Sequence, residues 1–200
     1  ELRVRRNVTV PPGNVTFDGT TLLAATSIGG YPSFNAVSTT SMADFNGDGR
    51  GDVAATGFDP TSGYTTLILL SNGFGAAPTI GTPGEFVDVS RLADFNADGC
   101  TDIVTLTTVF VSACDGSFRR IATGGVPSNP GAQLLADVDG DGRTDLLYID
   151  NLQKTWYALR SRGDGFAPAL PLGINAPNGT SWFVFDANGD GLTDLGYRDD

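Results

Sequence analysis

Four stretches of the chain align without a gap: Ala43–Asp52 (ADFNGDGRGD), Ala93–Asp102 (ADFNADGCTD), Ala136–Asp145 (ADVDGDGRTD) and Phe185–Asp194 (FDANGDGLTD). With the first Asp as position 1, oxygen-bearing side chains fall at positions 1, 3, 5 and 9. They are Asp44, Asn46, Asp48 and Asp52 in loop one, and Asp94, Asn96, Asp98 and Asp102 in loop two. Loop three has Asp137, Asp139, Asp141 and Asp145, and loop four has Asp186, Asn188, Asp190 and Asp194. Position 6 is glycine throughout: Gly49, Gly99, Gly142 and Gly191.

Short carboxylates at alternate positions of a tight loop suit a hard cation. Calcium takes six to eight oxygens at about 2.3–2.6 Å in a tolerant geometry. Glycine at position 6 permits the sharp turn. Position 7 is Arg50, Cys100, Arg143 or Leu192, so its backbone carbonyl is the expected ligand there. The spacing predicts about four bound Ca²⁺, one per loop. Charge agrees: 13 of the 23 acidic residues lie in the loops. Three or four carboxylates packed into one loop repel one another without a cation. Asp, Asn and Gly are also ordinary turn residues, but turns do not require one five-position pattern four times. An EF-hand is excluded. It needs Glu at position 12 and flanking helices, whereas position 12 is Ala55, Thr105, Tyr148 or Tyr197 and the flanks read as strands.

The first positions are 50, 43 and 49 residues apart, a period that signals a propeller or solenoid unit. A second element recurs between loops: Thr65–Gly81, Val109–Gly124 and Thr155–Gly173, each a strand, a glycine turn, a phenylalanine (Phe74, Phe118, Phe166) and a short strand. One repeat therefore reads as strand, acidic loop, strand, turn, strand, turn, strand, which is a four-stranded antiparallel blade. The run Phe74-Gly75-Ala76-Ala77-Pro78 beside DxNxDGxxD loops resembles the FG-GAP, or VCBS, repeat over essentially the whole chain. That resemblance implies an integrin-like β-propeller whose loops hold Ca²⁺ to brace the blades, without chemistry.

The expected division is a linker or edge strand at 1–13, a second half-blade at 14–36, blades at 37–85, 86–130 and 131–178, and a first half-blade at 179–200. Either the N-terminal strands complete the last blade of a small closed ring, or the chain is a fragment of a larger propeller.

Composition narrows the function. Net charge −11 and pI near 4.2 argue against nucleic acid and anionic membrane, which select a basic face. No apolar run approaches the ~20 residues of a membrane helix, so membrane insertion is not expected. There is no histidine, one lysine (Lys154) and two cysteines, which removes histidine triads and the usual zinc sites. Of the 23 acids only Glu1 and Glu85 are glutamate, and the clustered aspartates belong to loops. No pair is left for glycoside hydrolysis, and the chain is read as non-enzymatic.

Residues 103–106 and 109–113 are expected to pair about a turn at Thr107–Thr108, setting Cys100 opposite Cys114. That predicts a cross-strand disulfide and an oxidising compartment. Arg50-Gly51-Asp52 spells an adhesion tripeptide, but Asp52 is a loop ligand. Trp156, Tyr157 and Trp182 read as blade core rather than a sugar platform. Asn7, Asn14 and Asn178 start glycosylation patterns. The expected function is a calcium-stabilised propeller module of a secreted or cell-surface protein that binds a protein or a glycan. The alternative is a structural or assembly module inside a larger secreted enzyme or toxin, contacting other segments of that polypeptide.

Overall fold

The protein is described by a computed structural model over residues 2–7, 17–25, 36–71, 79–176 and 180–199. These residues form strands and turns and no helix. Leu2–Asn7 (β1) pairs with Phe17–Ala25 (β2), so the N-terminal segment carries a strand. Three four-stranded antiparallel sheets follow, each in simple sequential order. The first holds Ala36–Ala43 (β3), Asp52–Asp59 (β4), Gly63–Leu69 (β5) and Thr79–Ile80 (β6). The second holds Leu92–Ala93 (β7), Asp102–Val104 (β8), Thr108–Ser112 (β9) and Phe118–Ala122 (β10). The third holds Gln133–Ala136 (β11), Asp145–Asp150 (β12), Thr155–Leu159 (β13) and Leu170–Asn175 (β14). Thr180–Phe185 (β15) and Asp194–Asp199 (β16) form a final pair. All-β architecture and four-stranded antiparallel units agree with the sequence reading. The described residues do not close a barrel or a ring.

Strand sequence explains strand placement. β8, β9 and the first five residues of β12 are buried along their whole length, because apolar residues on successive positions need cover on both faces. The cover comes from the neighbouring sheet. Phe45, Ala54 and Ile68 of the first sheet region pack with Ile103 and Phe110 of the second. Phe95, Val104 and Val111 pack with Leu135 and Phe166 of the third. Leu147, Trp156 and Ala158 meet Trp182, Val184 and Leu195 of the last pair. Trp156 is fully buried, as expected of core.

Two seams repeat in detail. The Phe45 ring meets Phe118 at 6.0 Å and the Phe95 ring meets Phe166 at 4.9 Å. The Ser112 hydroxyl donates to the Phe45 carbonyl, and the Ser161 hydroxyl to the Phe95 carbonyl, both at 2.5 Å. Burying such a ring contributes about 1.5–3 kcal/mol, against about 0.5–1.5 kcal/mol for a hydrogen bond. The rings therefore hold each seam, and the serine sets its register.

One detail differs from the sequence reading. Ile103 faces Phe110 and Val104 faces Val109, and the Thr105 N–H donates to the Thr108 carbonyl at 2.8 Å. The turn is thus Leu106–Thr107, one residue earlier than Thr107–Thr108. The motif Phe74–Pro78 and the sites Asn14 and Asn178 lie outside the described residues.

Candidate metal centre

Each acidic loop links the first strand of a unit to the second: β3 to β4, β7 to β8, β11 to β12 and β15 to β16. Glycines at positions 4 and 6 take positive φ, 71° and 78° at Gly47 and Gly49, 75° and 84° at Gly140 and Gly142, and 76° and 84° at Gly189 and Gly191. This coils the loop so that its N–H groups point inward at its own carboxylates. The position-1 carboxylate accepts the position-6 N–H in every loop: Gly49 to Asp44 at 2.7 Å, Gly99 to Asp94 at 3.0 Å, Gly142 to Asp137 at 2.9 Å and Gly191 to Asp186 at 2.9 Å. The position-5 carboxylate accepts the position-7 N–H, from Arg50, Cys100, Arg143 and Leu192, at 2.8–2.9 Å. Donated N–H groups hold exposed Asp186 below the usual carboxylate range, Gly191 foremost.

Position 9 behaves differently. It is the first residue of the second strand, and it is buried in three units: Asp52 and Asp102 at 0% exposure, Asp145 at 1%. One oxygen accepts the position-2 N–H, from Phe45, Phe95, Val138 and Ala187, at 2.7–3.1 Å. In the three four-stranded sheets the other accepts a serine N–H from the end of the third strand: Ser71 at 2.8 Å, Ser112 at 2.7 Å and Ser161 at 2.7 Å. A buried carboxylate thus fastens the loop to the sheet. Burial pushes Asp102 up to about 7 and Asp145 up to about 6. The received N–H bonds oppose the shift, while the charges of Asp98 and Asp94, and of Asp139 and Asp141, add to it. Burial of Asp52 also removes the Arg50-Gly51-Asp52 carboxylate from reach of a receptor.

The residues fit a hard cation most directly in loop three, where one oxygen each of Asp137, Asp139 and Asp145 lies within 4.8 Å of the others. In loops one, two and four position 3 is asparagine, and its amide donates to the position-5 carboxylate: Asn46 to Asp48 at 3.5 Å, Asn96 to Asp98 at 2.7 Å and Asn188 to Asp190 at 3.0 Å. Loop three lacks that amide. There Arg143 pairs with Asp141, and Arg160 pairs with Asp139 at 3.3 Å. Each loop therefore has a donor set against its carboxylate cluster.

Sequence reading missed what position 7 does with its side chain. A Cβ on Gly47, position 4 of loop one, would meet the Cys100 sulfur at 2.8 Å, and one on Gly140 of loop three would meet Leu192 at 2.9 Å. In these two pairs the position-7 side chain of one loop lies on the position-4 glycine of the preceding loop. Loops are also joined through backbone: the Thr101 N–H donates to the Asp44 carbonyl and the Thr144 N–H to the Asp94 carbonyl, both at 2.8 Å. Cys100 is disulfide-bonded to Cys114 across 5.7 Å between Cα atoms. Cys114 has a positive φ, 58°, in the turn between β9 and β10, as Gly163 has, 76°, at the matching position of the third unit, and each donates its N–H to the serine two residues earlier. Asp98 lies beside both sulfurs, but a disulfide offers no thiolate ligand.

Comparison with known proteins places these features. The chain is similar to a chain in the structure of the Photorhabdus luminescens Tc holotoxin pore, a mutant form, at 20% identity and a TM-score of 0.42. The similarity covers 96% of this chain and 9% of that one, so this chain spans about a tenth of its length. No curated protein matches the sequence. A model of the FG-GAP-like repeat matches residues 44–105 and 137–197, which include loops one, two, three and four. With most of its length so matched, this chain belongs to the FG-GAP-like repeat family.

Proposed function

We propose that the protein is a calcium-stabilised propeller-type module of a secreted or surface protein, without catalytic activity, that binds a protein or glycan partner. The observation carrying this reading is the same carboxylate-lined loop built four times, with three carboxylates of loop three within 4.8 Å of one another. Ca²⁺ would be held by the side chains at positions 1, 3, 5 and 9 and by the carbonyls of Arg50, Cys100, Arg143 and Leu192. It would supply positive charge and rigidity, not chemistry. The disulfide supports an oxidising location, where calcium is plentiful.

Calcium binds the folded loop and hardly binds the unfolded chain. Each site then adds about 2.7 kcal/mol at a hundredfold excess over its Kd, so four approach the ~5–15 kcal/mol stability of a whole domain. Metal analysis after dialysis against millimolar calcium is expected to give close to four ions per chain. Chelation is expected to lower the melting temperature by more than about ten degrees. One ion or none, with an unchanged melting curve, would leave the loops as ordinary turns.

A further inference from the structure

Position 3 is asparagine in loops one, two and four, and the three loops hold it alike. The Oδ1 of Asn46, Asn96 and Asn188 accepts the N–H of the position-5 aspartate, at 3.2, 3.3 and 2.9 Å. This bond curls each side chain over the peptide group between the two residues. The side-chain carbonyl carbon, Cγ, and the position-4 nitrogen then belong to one small hydrogen-bonded ring. Position 4 has positive φ in all three loops: 71° at Gly47, 60° at Ala97 and 76° at Gly189. All three are exposed, so water and hydroxide reach this peptide.

One substituent separates the loops. Ala97 has a Cβ, and Gly47 and Gly189 do not. A backbone nitrogen that follows asparagine can attack Cγ when nothing crowds its approach, and glycine crowds it least. Asn46 and Asn96 are both half-buried, so exposure does not distinguish them and the Cβ does. Loop three already has a carboxylate at position 3, Asp139.

We propose that Asn46 and Asn188 are modification sites, at which the following glycine drives deamidation of the amide to a carboxylate. The glycine nitrogen loses its proton to hydroxide and bonds to Cγ, the Cγ–Nδ2 bond breaks, and the amide nitrogen leaves as ammonia after taking a proton from water. In loop four the Asp186 carboxylate already accepts the Gly189 N–H, at 2.7 Å. Water then opens the cyclic imide at either carbonyl. One opening gives aspartate, the residue loop three has there. The other gives isoaspartate, whose backbone runs through Cβ and Cγ and is longer by one atom. The balance is one water consumed and one ammonia released, with no redox partner. Either product removes the amide donation to the position-5 carboxylate and adds a negative charge to the cluster. The reaction uses no metal and lies beyond the binding role argued above, so its failure leaves the calcium measurements standing.

The test is peptide mapping by mass spectrometry of the folded chain, kept in calcium-free buffer at mildly alkaline pH and below its melting transition. Positions 46, 96 and 188 are followed in one sample. Asn72-Gly73 and Asn178-Gly179 lie outside the described residues and are scored separately. Conversion of amide to acid at 46 and 188 at least tenfold faster than at 96 is expected, rising in proportion to hydroxide, with isoaspartate among the products. Ala97→Gly, which removes a left-handed alanine, is expected to bring Asn96 up to the rate of Asn46. Gly189→Ala is expected to slow Asn188 at least tenfold. Its Cβ would meet nothing within 4 Å, and loop two seats an alanine at the same position. No conversion at 46 and 188, equal rates at all three positions, aspartate without isoaspartate, conversion only after melting, or rates unmoved by Ala97→Gly would overturn the proposal.

Discussion

Ala97 stands where the other three loops have glycine, and its φ is 60°. A left-handed non-glycine residue costs about 1–2 kcal/mol, partly offset in Ala by a smaller loss of chain entropy on folding. Ala97→Gly is therefore expected to raise stability by several tenths to about 1 kcal/mol, a rise of a few degrees in melting temperature. Gly47→Ala is expected to do the reverse and more, because its Cβ would meet the Cys100 sulfur at 2.8 Å and the disulfide cannot give way. Gly140→Ala meets only the tip of Leu192 and is expected to cost less. Equal losses at 47 and 140 would contradict the account of position 7.

The raised carboxyls make a pH prediction for the calcium-free protein. Asp102 and Asp145 titrate near 7 and 6 in the fold and near 4 when unfolded. Between those values the folded state holds more protons than the unfolded chain, so stability falls as pH rises. Calcium-free protein is expected to melt higher at pH 5.5 than at pH 7.5, and calcium to remove or reverse that order. A melting temperature that rises with pH in the calcium-free protein would sink this account.

Among the elements, the second strand depends most on its first residue. Asp102 joins the Phe95 N–H to the Ser112 N–H. Asp102→Ala leaves two buried donors unpaired, at about 1–3 kcal/mol each. It is expected to destabilise strongly with or without calcium. Asp98→Ala removes an exposed acceptor of the Cys100 N–H and is expected to matter mainly when calcium is present. Asp115 serves a local turn, accepting from Ser117, and its replacement is expected to change little. Similar melting temperatures for calcium-free Asp98→Ala and Asp102→Ala would refute the division.

The same contrast marks what the sequence could disclose. Loop spacing, strand order and the repeat are local patterns, and they read directly. The double role of position 9 does not, because a ligand and a buried fastener call for the same aspartate. The one-residue shift at Leu106–Thr107 was equally hidden, since Thr105, Thr107 and Thr108 suit strand and turn alike.

For the whole molecule, the acidic loops lie at one end of the sheets, and the β8–β9 turn and the β10–β11 connection lie at the other. The units are not separable from one another. Each sheet is local in sequence, with hairpin partners close along the chain, as in repeat proteins whose stability is a sum of units and seams.

The seam serines add a direction in time. The Phe45 carbonyl receives its hydroxyl from Ser112, 67 residues later, and the Phe95 carbonyl from Ser161, 66 residues later. A chain emerging from the ribosome completes every strand of the first four-stranded sheet well before Ser112 and Phe118 exist to cover Phe45. Each unit must wait, half covered, for the next. A piece spanning 36–107 contains that sheet whole but should melt without cooperativity, whereas 36–125 should melt sharply. Synthesis from the N-terminus then closes the seams one by one in the order of the chain, and a pause after one unit leaves a single aromatic face open rather than a tangle of unfinished strands.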